Sequence, residues 1–128
     1  MQTMEQHAGI YRSGAGLVEA CRKLGELRRR YGAVVLTDKT NVYNTDLLQV
    51  LELGSMLDCA EAVTASGLAR EESRGAHQRL DFTTRDDAKF LKHSLAWYSR
   101  AEPPRIDYRD VVITKSQPGM RDYSGAHE

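Results

Sequence analysis

Residues suited to chemistry are concentrated in one charged segment, residues 70–93, which interleaves cations with nearly as many carboxylates. The cations are Arg70, Arg74, Arg79, Arg85, Lys89 and Lys92, and the carboxylates are Glu71, Glu72, Asp81, Asp86 and Asp87. Because a guanidinium group can bind a carboxylate through two parallel hydrogen bonds, the near balance of charge favours pairing within the segment. This chemistry fits an interdomain interface or a site for a small acid. It equally fits a solvated loop, whose exposed ion pairs contribute at most about 1 kcal/mol each.

Metal binding and covalent catalysis find little support in the same residues. His77 and His93 are the two histidines away from the chain ends, and their separation matches no recognised ligand spacing. Ser73 and Cys59 are candidate nucleophiles, but neither has a potential general base at a spacing that indicates activation of the nucleophile. The sequence therefore predicts no catalytic residue and no metal ligand in this chain.

Two shorter patterns are weak signals. The adjacent carboxylates Asp86 and Asp87 could serve acid–base chemistry, but in a short turn such a pair more often caps a helix. Gly14-Ala15-Gly16 precedes a helix, yet no strand leads into it, and Glu19 occupies the third glycine position of the dinucleotide-binding fingerprint. We therefore expect no cofactor-binding residue.

Composition narrows the class of protein. The 128 residues carry 18 Lys and Arg against 18 Asp and Glu, so no net field attracts nucleic acid or an anionic membrane. No apolar run reaches the length of a membrane helix, and residues 1–7 lack the basic start and apolar core of a signal peptide. We expect one cytoplasmic domain that binds no nucleic acid and does not insert into a membrane. Cys21 and Cys59 are predicted to be reduced packing residues.

A first long helix should position one side of the charged segment. After a lead-in helix within residues 1–12 that Gly9 closes, Ser13 is suited to cap a helix that stops at Gly32. Its apolar stripe comprises Leu17, Val18, Cys21, Leu24, Leu27 and Tyr31. The last turn holds Arg28, Arg29 and Arg30, which complement the helix dipole, and we expect them to form a solvated helix end.

A second helix, from Thr45 to Ala69 with Asn44 as its N-cap, is the longest predicted element and completes a helical bundle over residues 13–69. Its apolar residues cover more than one side, so it requires partners on more than one side. Small residues such as Gly54 and Cys59 allow a neighbouring helix or domain to approach its backbone closely.

Beyond the charged segment, the residue types favour strands. Leu91 to Tyr98 and Ile106 to Thr114 flank a loop with Pro103-Pro104, which predicts a β-hairpin within residues 94–115, and one hairpin face should cover the helices. Residues 116–128 show no apolar periodicity and are predicted to be a flexible tail after a domain spanning residues 1–115. The predicted fold class is mainly α, a spectrin-repeat-like helical bundle with a C-terminal β-hairpin extension.

The charged segment resembles a run found in the flavoprotein subunits of fumarate reductase and succinate dehydrogenase, with a weaker similarity to L-aspartate oxidase. That run reads Arg-x-Glu-Ser-Arg-Gly-x-His-x-Arg-x-Asp, followed by Arg-Asp-Asp, and this chain has it at residues 70–81 and 85–87. Further similar blocks lie at residues 9–12, 44–48, 52–54, 90–96 and 107–111, and the first three favour the fumarate reductase branch. The resemblance covers about residues 1–114, corresponds to the C-terminal part of such a subunit, and departs from the family at Glu71, where lysine is frequent.

The resemblance implies a domain that packs against a flavin-binding domain and docks beside an iron–sulfur subunit. FAD and the dicarboxylate would be held by domains outside this chain, which would interconvert fumarate and succinate by hydride transfer at the flavin. The complex would bring the domain to the inner face of the plasma membrane. The residues expected to form the polar scaffold of the interdomain surface are Arg74, His77, Arg79, Asp81, Arg85 and Asp86. The flavin-binding domain would also be one partner of the longest helix.

Three functions remain open from the sequence. The chain could be part of an enzyme and inactive alone, a stand-alone interaction module derived from the same domain, or a small enzyme that uses the charged segment. Turnover by the chain with FAD and fumarate would favour the third. Association with a flavin-binding domain of the family would favour the first.

Overall fold

The computed structural model describes residues 2–99 and 102–119. In chain order the elements are α1 (Gln2–His7), β1 (Tyr11–Arg12), α2 (Gly14–Tyr31), α3 (Thr45–Ala69), β2 (Gln78–Arg79), α4 (Asp87–Phe90), β3 (Lys92–Trp97) and β4 (Arg105–Asp110). β1 pairs with β2 in parallel, and β3 and β4 form an antiparallel hairpin. The predicted mainly α fold with a C-terminal hairpin is confirmed. The predicted tail lies outside the described residues from position 120 onward.

Both predicted N-caps are present. The Ser13 hydroxyl oxygen accepts a hydrogen bond from the Gly16 amide at 3.1 Å at the start of α2. The Asn44 side-chain oxygen accepts one from the Leu47 amide at 2.8 Å at the start of α3. Each bond satisfies an amide that has no partner inside its own helix, and α3 ends at Ala69 as predicted.

The two long helices pack through a small core. Its buried apolar residues are Leu17, Ala20 and Leu24 of α2 and Leu57 of α3, and Phe90 of α4 is also buried. At Gly54 the helices approach so closely that a Cβ would lie 2.5 Å from the Tyr31 hydroxyl oxygen. Because Gly54 has no side chain, the Tyr31 side chain can pack against α3 at this position.

Four side chains of the helix pair differ from the predictions. Val18 and Leu27 are 55% and 38% exposed, so the buried stripe of α2 is narrower than predicted. Cys59, predicted as a packing residue, is exposed on α3. Arg28 is not a solvated helix end, because its guanidinium contacts Glu61 Oε2 at 2.8 Å and also contacts Asp58. The last turns of α2 lie against the middle of α3, and this ion pair joins them.

The hairpin is present, but β4 is shorter than predicted. Lys92 begins β3 and is the partner of Asp110, so residues 111–114 have no strand opposite them and β4 ends at Asp110. Strand pairing, rather than local residue type, sets this boundary.

The two faces of the hairpin are also divided differently. Ala96 lies opposite Ile106, whereas Trp97 lies opposite Arg105. Since opposed residues project to the same face, Trp97 and Ile106 lie on opposite faces, and no single face collects all the apolar residues. The inner face carries Tyr108, whose hydroxyl donates to the Ala69 carbonyl at 3.1 Å. Trp97 remains 53% exposed, with the Arg105 guanidinium over its ring.

The side of α3 turned away from α2 carries uncovered apolar residues. The larger of them are Leu48, Leu51, Met56 and Val63, which are 55%, 58%, 54% and 43% exposed. The small residues Gly54 and Gly67 are buried against α2 and the charged segment, while Ser55 and Cys59 are exposed. The small residues are therefore only partly covered by the described chain. Among the described residues, no helix combines the length and apolarity that crossing a bilayer requires.

Candidate functional site: a polar network at the end of α3

The charged segment leaves α3 and folds back through a tight turn. The Arg74 amide donates to the His77 carbonyl at 2.8 Å, and the His77 amide donates to the Arg74 carbonyl at 3.0 Å. Gly75, inside this turn, has a φ of +58°. The left-handed backbone at Gly75 lets the chain reverse directly after the arginine and enter β2 beside β1.

A pair of glycine substitutions tests this turn. Gly75→Ala should lower the free energy of unfolding by about 1 to 2 kcal/mol, because an L side chain at this φ strains the backbone. No atom within 4 Å would meet the new Cβ, so the strain alone decides the effect. At Gly25 in α2 a new Cβ would also meet open space. Gly25→Ala should raise the free energy of unfolding by up to about 1 kcal/mol, because alanine is the better helix former. Urea unfolding followed by circular dichroism measures both. A Gly75→Ala variant as stable as Gly25→Ala would contradict the role given to the turn.

Glu72 is the centre of the first cluster of the network. Its side chain is fully buried. It accepts hydrogen bonds from Arg70 Nη1 at 2.5 Å, from Arg74 Nε at 2.8 Å and from the Asp86 amide at 2.8 Å. Burial acts to raise the pKa of Glu72, but the hydrogen bonds from Arg74, the Asp86 amide and Arg70 outweigh it and lower the pKa. Glu72 is therefore an ionised carboxylate with its acceptor capacity committed.

Arg79 is the centre of the second cluster. Its side chain is 2% exposed, and Nη1 donates to the carbonyls of Gly67 and Leu68, at 3.0 and 3.2 Å, and of Arg70 at 3.1 Å. Gly67 and Leu68 belong to the last turn of α3 and Arg70 is its C-cap, where backbone acceptors lack helical partners and the dipole is negative. Arg79 therefore caps the end of α3 with a buried positive charge.

Asp81 connects this cap to the beginning of α2. Its carboxylate accepts two parallel bonds from Arg79, at 2.7 Å from Nε and 2.8 Å from Nη2. It also accepts from the Gly14 amide at 2.9 Å, the first residue of α2. The hydrogen bond from Arg79 is the main cause that lowers the pKa of Asp81. The Arg79–Asp81 ion pair therefore binds both the end of α3 and the start of α2.

His77 forms the third cluster with Arg12. The Arg12 Nη1 lies 2.9 Å from His77 Nδ1, and His77 Nε2 lies 3.3 Å from the Arg70 carbonyl. The same carbonyl accepts from Arg79 at 3.1 Å. Arg70 therefore joins the three clusters, through its carbonyl to His77 and Arg79 and through its guanidinium to Glu72.

The remaining predicted residues lie at the edge of the network. Arg85 contacts Asp87 and donates to the Gly119 carbonyl at 2.7 Å, which holds the beginning of the C-terminal tail. Arg74 reaches Asp87 at 2.6 Å. Asp86 caps α4 by accepting from the Lys89 amide at 3.0 Å, as expected of adjacent carboxylates in a short turn.

The Ser73 hydroxyl is hydrogen-bonded to backbone groups and is therefore unsuited to act as a nucleophile. Its hydroxyl oxygen accepts from the Arg79 amide at 2.8 Å, and the hydroxyl group donates to the Phe82 carbonyl at 2.8 Å. Throughout residues 2–99 and 102–119, no buried side-chain nitrogen or oxygen lacks a hydrogen-bond partner. In the same part of the chain, no group of three or more His, Cys, Asp and Glu side chains is placed to hold a metal ion.

The structure brings five of the six predicted scaffold residues into side-chain contact with other members of the network and includes Asp86 through its amide. The sequence prediction omitted three residues that the structure makes central: Glu72, Arg70 and Arg12. A signal for two of them was present, because Arg70–Glu72, Glu72–Arg74, Arg79–Asp81 and Arg85–Asp87 are opposite charges two residues apart. In extended backbone, side chains at this spacing point to the same side. Glu71 is exposed and has no ion pair among the described residues.

This fold, a helix pair with an appended hairpin and an arginine-rich network at the end of its longest helix, matches one class of domain. The family model described as the fumarate reductase flavoprotein C-terminal region matches residues 1–123. The chain therefore belongs to that family.

Individual relatives agree with the family assignment. The chain is 49% identical over 125 residues to a fumarate reductase flavoprotein subunit of Haemophilus influenzae, covering 98% of this chain and 21% of that subunit. It is 38% identical over 113 residues to a succinate dehydrogenase flavoprotein subunit of Rickettsia felis, covering 88% of this chain and 19% of that subunit. A chain of an Escherichia coli quinol fumarate reductase superposes with a TM-score of 0.90 at 47% identity, over 97% of this chain and 22% of that chain. The predicted similarity to the fumarate reductase branch is confirmed, and this chain spans about a fifth of the length of these relatives.

Proposed function

We propose that this chain is the supporting domain of a fumarate reductase flavoprotein subunit and carries no chemistry of its own. The remainder of such a subunit would hold FAD and the dicarboxylate and would interconvert fumarate and succinate. An iron–sulfur subunit would supply electrons, and the assembled complex would place the domain at the inner face of the plasma membrane. The observation that carries the proposal is that the arginines of residues 70–93 and every carboxylate there except Glu71 are bonded to one another or to the ends of the helices.

The hydrogen bonding of the charged groups favours a role as a scaffold rather than as an active site. Binding a dicarboxylate requires cations with free donors aimed at a common space. Here the donors of Arg79 are hydrogen-bonded to Asp81 and to α3 carbonyls, and those of Arg74 are hydrogen-bonded to Glu72 and Asp87. The energetic role of the network is to hold the charged segment in one conformation.

A groove on the helix pair gives no better site for an acid. It has a volume of about 390 Å³ and lies between α2, α3 and the loop that joins the hairpin strands. Its charged lining consists of Arg22, Arg28 and Arg29 with the carboxylates Glu26 and Glu61. Arg22 is bonded to Glu19 and Arg28 to Glu61, so two of the three arginines are already paired, and the two carboxylates would repel an anion.

The uncovered side of α3 is the surface we assign to the flavin-binding domain. Leu51 and Val63 are 58% and 43% exposed, and the exposed small residues Ser55 and Cys59 lie between them in the sequence. Small residues let another backbone approach, and large apolar neighbours supply the area to bury. The relatives are about five times as long as this chain, and the additional polypeptide of such a subunit would cover this surface.

Mixing experiments test the proposal. The chain should bind a flavin-binding portion of a fumarate reductase subunit that lacks its C-terminal domain, as measured by sedimentation velocity. Leu51→Lys and Val63→Lys should each weaken this binding by at least about tenfold, because each replaces an apolar contact with a charge that the interface would have to desolvate. Val35→Lys is the matched control, since Val35 is 81% exposed in the segment after α2.

Each outcome of the mixing experiment is informative. Binding that Leu51→Lys and Val63→Lys leave unchanged would remove α3 from the interface. No binding of the unaltered chain to any flavin-binding portion of the family would contradict the supporting role and favour a stand-alone interaction module.

A further inference from the structure

The lead-in segment, residues 2–12, is held to the rest of the domain by a short set of contacts. α1 has no buried residue. The Gln78 amide donates to the Ile10 carbonyl at 3.1 Å, and the Leu80 amide donates to the Arg12 carbonyl at 2.8 Å, on either side of the parallel pairing of β1 with β2. The Arg12 side chain adds a link through its contact with His77. Loss of this link would leave the segment on the two-residue β1–β2 pairing and on the surface packing of α1 against α2.

Hydrogen-bond geometry fixes the protonation state of His77. A guanidinium group can only donate, so the Arg12 Nη1 at 2.9 Å requires a lone pair on His77 Nδ1. The proton of the neutral ring then lies on Nε2, which points to the Arg70 carbonyl at 3.3 Å. A second proton on Nδ1 would place two donors face to face.

The charged groups around the ring add to this constraint. Arg12 faces it from β1, Arg70 from the end of α3 and Arg79 from β2, and all three are cations. α3 contributes Gly67, which carries no charge and whose Cβ, if present, would lie 3.7 Å from the His77 ring. Burial, followed by these three arginines, lowers the pKa of His77, although the bond to the Arg70 carbonyl acts in the opposite direction.

We propose that His77 is a pH-operated latch, whose protonation breaks its contact with Arg12 and frees residues 2–12 while the α2–α3 pair stays folded. The device is independent of the function proposed above, because it rests only on contacts within this chain. Among the described residues, no carboxylate acts on the ring to balance an added positive charge, so Arg12 must move away. The segment that yields includes a helix with no buried residue.

The direction of the pH dependence follows from the depressed pKa. The neutral ring is the latched form, so the contact is complete above about pH 6.5, the ordinary value for histidine, and is lost as the pH falls through the lower folded value. Acidification loosens the segment, and return to neutral pH closes it.

Nuclear magnetic resonance on the whole chain tests the latch. The ring signals of His77 should titrate below about pH 6.5, the ordinary value for histidine. Exchange protection of the Gln78 and Leu80 amides, corrected for intrinsic exchange, should fall by about tenfold as the pH is lowered from neutral through the midpoint at which the His77 ring titrates. Protection of the Leu24 amide, inside α2, should stay within about twofold, because the helix pair does not open.

A neutral replacement separates the latch from general acid loosening. Gln at position 77 has an oxygen that can accept from Arg12 and an amide that can donate, and it does not titrate. His77→Gln should therefore abolish the pH dependence at Gln78 and Leu80, whereas His93→Gln should keep it. An equal loss of protection in His77→Gln, or a His77 titration at or above about pH 6.5, would overturn the proposal. If His77→Gln did not fold, the ring titration of the unaltered chain would decide.

Discussion

Replacing Arg79 with alanine should lower the free energy of unfolding of this domain by about 3 to 5 kcal/mol, the largest effect we expect from any single polar side chain. The guanidinium is almost fully buried, and its removal strands the Gly67 and Leu68 carbonyls and leaves Asp81 without its partner. Since whole domains are stabilised by only about 5 to 15 kcal/mol, this loss brings the domain close to unfolding.

A surface arginine with nearly the same pairing geometry is the control for Arg79. Arg22 donates to Glu19 from Nε and Nη2, both at 2.8 Å, but its side chain is 60% exposed. Arg22→Ala should cost no more than about 1 kcal/mol, because water screens the pair. Arg79→Lys should recover only part of the loss, since an ammonium group cannot reproduce the planar fork. Guanidinium chloride unfolding of the three variants measures the difference. Equal costs for Arg79→Ala and Arg22→Ala would show that the network does not stabilise the domain.

Replacing Glu72 with glutamine should lower the free energy of unfolding by about 3 kcal/mol. The substitution keeps the shape but removes the charge that compensates Arg70 and Arg74, and it presents an amide group where these residues need acceptors. Glu19→Gln, on the surface of α2, should cost about 0.5 kcal/mol or less.

The pH dependence gives a second readout for Glu72. Because folding lowers the pKa of Glu72, its contribution is complete above the unfolded value of about 4.3 and is lost as the pH falls through the folded value. The stability of the unaltered domain should therefore fall more steeply below about pH 4.5 than that of Glu72→Gln. Parallel curves for the two proteins would contradict an ionised, bonded carboxylate at position 72.

The sequence predicted best what neighbouring residues decide. The bounds of α3 follow from the Asn44 cap and from an uninterrupted helical stretch, and the structure has them as predicted. The start of α2 at Ser13 and the capping role of Asp86 are local in the same way. Each depends on contacts three or four residues apart, which a sequence shows directly.

Long-range contacts account for the differences. The end of β4 and the division of the hairpin faces depend on register, which pairs residues far apart in sequence and which a one-residue shift would reverse. The pairing of Arg28 with Glu61 depends on how α2 lies against α3. The link between Arg12 and His77 spans 65 positions and exists because β1 pairs with β2.

The candidate site shows the same division. The sequence located the network in residues 70–93 and named Arg79 and Asp81, whose two-residue spacing suits a bidentate pair. It did not separate the exposed Glu71 from the fully buried Glu72, because the two-residue spacing of Arg70, Glu72 and Arg74 shows which side chains share a side but not which side is buried. Burial is a property of the turn at Gly75 and of α4, which bring Arg74 and the Asp86 amide to Glu72.

The most direct test of the central claim, that this domain supports chemistry performed elsewhere, is fumarate reduction by three preparations with a viologen donor and FAD. These are the chain alone, the flavin-binding portion alone and their mixture. We predict no turnover from the chain alone and a higher rate in the mixture than in the flavin-binding portion, because correct positioning of reacting groups raises the rate. Turnover by the chain alone, or a rate that the chain leaves unchanged, would contradict the account.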